Sequence, residues 1–196
     1  MPQAPKTAAV DGRRQRTERS RNAIVKAATE LVQEGVLIPT AQQIAERAGV
    51  GLRTFFRHFE DMSTLFVAVD DGIRDEYTEL TLGGDRHGTL EERIEHAVEK
   101  HAEVYEQNAN IMLCTASMRW KYEFLRKNYA KIQRGLRKDL DDWLPELTKI
   151  DKTYREAVDA IASFDMWHRL REHQGLSLSA SREIVATLIK DILLRR

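Results

Sequence analysis

Residues 40–59, TAQQIAERAGVGLRTFFRHF, constrain this chain more than any other stretch. They predict two short helices joined by a tight turn. Thr40 is placed to cap the first helix, with Gln43 three residues on to complete a capping box. Ile44, Ala45 and Ala48 put small and apolar groups on one face. Gly49 falls where the chain must turn through positive φ, which costs a residue without a Cβ least. Phe55 and Phe59, four apart, then share one face of a second helix, while Arg53, Thr54 and Arg57 point elsewhere. A small residue, a turn glycine and a core aromatic at this spacing let two helices cross closely. The motif is a helix-turn-helix, whose second helix fits the major groove of DNA.

What surrounds the motif decides between that reading and an ordinary helical hairpin. The chain has 196 residues and no net charge, but the charge is unevenly placed. Residues 1–59 carry ten basic against five acidic side chains, leaving the head at +5 and the rest at −5. A basic head on an acidic body suits a module that meets phosphate through its N-terminal third.

Periodicity predicts helices throughout. Composition agrees, with 42% hydrophobic and 32% charged residues, four prolines and ten glycines, and no alternating strand pattern. Residues 1–16 are polar and basic and predict a disordered arm. A helix is expected from near Thr17 to Glu34, ending at Gly35. After residue 60 a linking helix, capped by Asp61 or Ser63, is expected to about residue 80. Thr89 with Glu92 forms a second capping box that opens a helix through Tyr105. Further helices are expected near 111–118, 122–144, 154–173 and 181–194, about nine in all. No apolar run is long enough to cross a membrane, and no signal peptide is visible. The single cysteine, Cys114, suits a reducing cytoplasm, which is the expected location.

Catalytic and metal signatures are missing. No Glu-x-x-His pair, His-Glu-x-x-His, phosphate-binding loop or Gly-x-Ser-x-Gly occurs, so neither an enzyme nor a metal or cofactor is expected. Nothing beside Cys114 argues for a lowered thiol pKa.

IAERAGV followed by RTFFRHF, behind a basic helix and ahead of an all-helical body, resembles the TetR family of transcriptional repressors. The likeness is best over residues 17–66 and only architectural beyond residue 80. It implies an all-α chain in four parts: the arm (1–16), a three-helix DNA-binding domain (17–60), a linking helix (61–80) and an effector-binding and dimerisation domain (81–196). It further implies a homodimer that binds a palindromic double-stranded operator and is released by a small, apolar or amphipathic effector. Carried over residue by residue, it casts Thr40 as a phosphate contact. Gly51, Leu52, Arg53 and Thr54 then open the recognition helix, with Phe56, Arg57 and His58 following. Arg53 can read guanine O6 and N7, Thr54 a phosphate or a thymine methyl, and Arg57 is a backbone contact or a solvated charge. Arg13, Arg14 and Arg16 are candidate arm contacts.

Three positions depart from the family pattern. Gly51 replaces the usual capping Ser or Thr, Phe56 lacks the hydroxyl of the common tyrosine, and Met62 stands where lysine is usual. Each removes a hold on the phosphate backbone. For the effector pocket the pool is His101, Tyr105, Cys114, Met118, Tyr122 and Trp167, all of them equally suited to a plain helical core. Two rival readings stand beside repression: a helical ligand- or partner-binding protein with a weakened DNA head, and an activator or nucleoid-type binder with the same head.

Overall fold

A computed structural model describes residues 7–194, with side chains for residues 14–72 and 83–194. It is all-α, and no strand occurs among the described residues. The helices are α1 (Thr7–Gln33), α2 (Ala41–Arg47), α3 (Leu52–His58), α4 (Met62–Leu82), α5 (Leu90–Met118), α6 (Glu123–Trp143), α7 (Lys152–Ile161), α8 (Phe164–His168) and α9 (Leu178–Leu194). A 3₁₀ turn (Pro145–Lys149) follows α6, and a π-helical turn (Arg169–His173) continues α8. None of the described helices is long and apolar enough to cross a membrane.

The number of helices agrees with the sequence expectation, but the boundaries do not. Helix α1 starts at Thr7 rather than Thr17, so residues 7–16 are helical where an arm was expected. Residues 7–16 hold two alanines, three arginines and a glutamine, all good helix formers, against a single glycine. Residues 1–6 and the Arg13 side chain lie outside the described residues. The expected break near residue 110 is also absent: α5 runs unbroken from Leu90 to Met118. No proline or glycine interrupts it; two polar side chains that could compete with the helix bond back along it, and Asn110 instead donates to the Gln33 carbonyl (2.8 Å). Asn108 donates to the Val104 carbonyl (2.9 Å) and Thr115 to that of Ile111 (2.9 Å).

The segment 154–173, expected as one helix, is divided. Helix α7 ends at Ile161, and Ser163 caps α8 by accepting from the Met166 N–H at 3.3 Å. Tyr105 donates its hydroxyl to the Ala162 carbonyl at 2.8 Å, supplying a partner at the break.

Two compact units emerge, each drawing on two stretches of the chain. One holds the described residues up to Arg74 together with Asn110–Lys127; the other holds Asp75–Ala109 and Asn128 onward. In the first, Ile24, Ala28, Ile44, Ala45, Phe55, Phe59 and Leu65 form a buried core under the helix-turn-helix. A second cluster gathers Val32, Phe66, Cys114, Met118 and Leu125. Met62 packs against both clusters. The departure at this position therefore exchanges a charged side chain for an apolar one that the packing uses.

In the second unit Ile94, Trp143, Leu144, Leu147, Val158 and Ile189 are fully buried. Arg93 clamps the end of α6, donating to the Trp143 carbonyl (2.9 Å) and to both Glu146 oxygens (3.0 and 2.5 Å). Helix α9 is tied to α5 by Arg182–Glu99 (3.0 Å) and Lys190–Glu95 (2.6 Å). Gly88, at φ 111°, leaves room for the Thr89–Glu92 capping box, since a Cβ there would meet Glu92 Oε2 at 2.6 Å.

Candidate nucleic-acid interface

The expected box at the start of α2 is complete. Thr40 Oγ1 accepts from the Gln43 N–H (3.2 Å), and Gln43 Oε1 accepts from the Thr40 N–H (2.9 Å). The turn closes at Gly49, φ 67°: its own N–H donates to the Glu46 carbonyl (3.1 Å), and the Val50 N–H reaches the Ala45 carbonyl (3.0 Å). A Cβ at Gly49 would meet nothing within 4 Å, so backbone conformation and not space selects glycine. Gly35, φ 95°, ends α1 by the same device, with Val36 N–H on the Leu31 carbonyl at 2.9 Å.

Helix α3 has seven residues, too few to persist alone, and is held by its buried side. Phe55 is fully buried, with the Phe59 ring 6.0 Å from it. The opposite side is open: Leu52, Arg53, Phe56 and Arg57 are exposed, Thr54 and His58 half-buried. Phe56, 49% exposed, sets its ring edge-on to Phe55 at 5.2 Å. An aromatic that bare, on the face that Phe55 leaves free, is available to a ligand as apolar surface. Gly51 caps α3 with no side-chain hydrogen bond, as its missing side chain requires.

Electrostatics sort the basic residues of the head. Arg47 is committed within the protein: it bonds both Glu34 oxygens (2.8 and 2.7 Å) and lies 3.9 Å from Glu30. Its hydrogen bonds hold the Glu34 carboxyl below its ordinary pKa. No such pair engages Arg53 or Arg57 among the described residues. Burial first, and then the cations of Arg57 and Arg21, lower the His58 pKa below its ordinary value; its Nε2 is buried without a hydrogen-bond partner. Among the arm residues, Arg14 and Arg16 are exposed on α1.

Two features of this surface escape a reading of the sequence. Arg21 places its guanidinium over the Phe59 ring, 5.3 Å from the centroid. The pairing of Arg47 with Glu34 likewise joins α2 to the end of α1. Both contacts are long in sequence, and no local pattern announces them.

The effector-pocket pool divides between the two units. Cys114, Met118 and Tyr122 belong to the first: Cys114 donates to the Met118 sulfur (3.8 Å), and Tyr122 sets its ring against Phe66 at 5.1 Å. Burial pushes the Cys114 thiol up to about 11, the behaviour of a structural cysteine.

His101, Tyr105 and Trp167 belong to the second unit. They line a void of about 10 Å³, room for one water at most. His101 and Tyr105 also border an open cleft of about 760 Å³ with Asp159, Met166 and His173. The cleft is more polar than an apolar effector requires, with Glu156, Asp165 and Arg169 on its walls. His101 is oriented by Asp139 (Nε2 to Oδ2, 2.9 Å), which Arg86 holds from its other oxygen at 2.7 Å. Burial, then the charges of Asp159, Asp139 and Asp165, raise the Tyr105 hydroxyl pKa, so it remains a donor.

Residues 24–69 match the sequence profile of bacterial regulatory proteins, tetR family. No curated protein is significantly similar. Among solved structures, the chain resembles a transcriptional regulator from Rhodococcus sp. Rha1 (TM-score 0.66, 17% identity, 90% of this chain and 95% of that one). A putative TetR-family transcriptional regulator from Rhodococcus sp. gives 0.58 at 19% identity, covering 90% and 99%. The multidrug binding protein EbrR, complexed with imidazole, gives 0.57 at 17% identity, covering 89% and 94%. At these identities the likeness speaks to fold.

Proposed function

Because its N-terminal domain belongs to the tetR family of bacterial regulatory proteins, we propose that this DNA-binding regulator represses transcription as a homodimer on a palindromic operator. The observation that supports it best is the open face of α3. Arg53, Phe56 and Arg57 lie exposed on a helix whose other side is anchored by fully buried Phe55. A side chain there can reach base edges while the turn at Gly49 holds the helix angle. Two heads in a two-fold dimer would read half-sites about 34–36 Å apart or a multiple of it. Thr40, Thr54 and His58 would meet the backbone, and Arg53 a guanine.

Release by a small molecule follows from linkage. An effector that prefers the state unable to span both half-sites lowers operator affinity by the factor by which DNA lowers effector affinity. The cleft beside His101 and Tyr105 is the candidate site in the second unit. Its polar walls favour an amphipathic effector over a purely apolar one. A similar fold that binds imidazole and is named a multidrug binding protein supports a small-molecule role. The expected setting is the cytoplasm, and no catalytic role is proposed.

A second reading has its own support. Gly51 supplies no cap, Phe56 offers only apolar contact, and Met62 is spent on packing. Those features suit a ligand-binding protein whose DNA head grips weakly or without sequence preference. Footprinting and gel shifts on the DNA upstream of the chain's own gene, against random DNA and over a salt series, separate the two. Arg53→Ala is expected to weaken operator binding by about 5- to 150-fold, as loss of about 1–3 kcal/mol of base discrimination, and to change random-DNA binding far less. Equal wild-type affinity for both duplexes would sink the specific-regulator reading.

A further inference from the structure

We propose that Arg21 of α1 is a phosphate-backbone contact, a cation seated on the Phe59 ring at the C-terminal end of the recognition helix. The proposal rests on the DNA-binding reading above and extends the interface beyond α2 and α3. Helix geometry places Arg21 on the stripe that continues through Val25 and Ala28, seven residues on. Ala28 is buried in the head core, so this stripe faces the helix-turn-helix. Arg21 emerges where that core ends and is itself exposed.

Phe59, 2% exposed, is the C-cap residue of α3 and packs beside Phe55. The guanidinium carbon of Arg21 lies 5.3 Å from its ring centroid. Arg21 stays exposed while its guanidinium lies over that ring, so its N–H groups remain open to a ligand from solvent. A phosphate is the group that a guanidinium bonds best, two N–H donors to two oxygens. In a helix-turn-helix the start of the second helix reads bases, so a cation at its far end is positioned for the sugar-phosphate strand.

The contrast with Arg47 strengthens the assignment. Arg47 is neutralised by Glu34 and Glu30, whereas no ion pair joins Arg21 to any described carboxylate. Glu18, one turn toward the N-terminus, shares its face and is not bonded to it. The depressed proton affinity of His58, to which Arg21 contributes, agrees with a cation close to the end of α3.

Phosphate contact is independent of sequence, so the test needs no known operator. The full chain is titrated with a random-sequence duplex of about 30 base pairs, and log K is plotted against log salt concentration. Arg21→Met, which keeps an apolar stem on Phe59, is expected to reduce the slope by about 0.9, the release from one phosphate. Arg21→Lys, which keeps the charge, is expected to retain the wild-type slope. Should Arg21→Met fail to fold by circular dichroism, Arg21→Gln reads the same slope. A wild-type slope in the neutral variant overturns the proposal and leaves the DNA head intact. Failure of the wild type to bind any duplex at low salt overturns the DNA reading itself.

Discussion

Gly51→Ser tests whether the start of the recognition helix is under-capped. Gly51 has φ −73° and ψ 151°, an extended conformation open to any L-residue, and a Cβ there would meet nothing within 4 Å. A serine therefore enters without strain. Its hydroxyl can accept from the N–H of Arg53, the Thr54 N–H already donating to the Gly51 carbonyl at 2.8 Å, much as Thr40 accepts from Gln43 at the start of α2. At an N-cap serine exceeds alanine by about 1 kcal/mol and glycine by a few tenths. The expected order of stability is thus Ser above Gly above Ala. The full span, about 1 kcal/mol, corresponds to about 2–4 °C in melting temperature for a chain of this size. The same hydroxyl faces the side on which a phosphate would lie, and one hydrogen bond to that charged group, about 1.5–3 kcal/mol, would tighten DNA binding roughly 10- to 150-fold. Thermal melts followed by circular dichroism read the first effect, and a gel shift reads the second. An alanine variant melting at or above the serine variant refutes the capping argument. A serine variant that melts higher yet binds DNA no tighter refutes the phosphate argument alone.

The second unit offers independent checks. Tyr105→Phe removes the hydroxyl bonded to the Ala162 carbonyl at 2.8 Å, and should cost about 1–3 kcal/mol in urea denaturation; a loss below about 0.5 kcal/mol would show that the helix break needs no outside donor. Glu106 accepts from Trp167 Nε1 and Arg171 Nε (both 2.9 Å), and the Arg171 bond, ahead of the Trp167 bond, holds its pKa below the ordinary value. Its folded pKa is the lower one, so its contribution is full above about pH 4.3 and lost as pH falls through the folded value. Glu106→Gln should therefore lower the urea midpoint near neutral pH and flatten its decline in acid; an unchanged pH slope would refute this. Cys114, buried and raised to about 11, should react with a thiol reagent at about pH 8 only after unfolding. Rapid stoichiometric labelling of the folded chain would contradict that assignment.

Much of the head was legible because its determinants are local. The Thr40–Gln43 box, the positive φ of Gly49 and the shared face of Phe55 and Phe59 are fixed by groups at most a few residues apart, and each stands where the motif implies. The Thr89–Glu92 box is legible for the same reason. So was the end of α1 at Gly35, although its beginning was not: the composition of residues 7–16 suits a polar helix as well as an arm, and polarity alone does not choose.

Tertiary structure decided what depends on neighbours distant in the chain. It let α5 run through residue 110, where Asn110 donates to the Gln33 carbonyl and Asn108 and Thr115 bond back along their own helix. It divided 154–173 at Ser163, where Tyr105 supplies a donor from another helix. It gathered residues 110–127 with the head and His101, Tyr105 and Trp167 in the other unit, so a pool contiguous by character proved separate by packing. It gave Met62 two apolar clusters to fill, Arg47 a carboxylate and Arg21 an aromatic ring. A cap or a turn is specified by its own few residues, and so the sequence alone determined the helix-turn-helix. The fate of a charge or an apolar side chain depends on what the fold sets beside it, and there only the structure could choose.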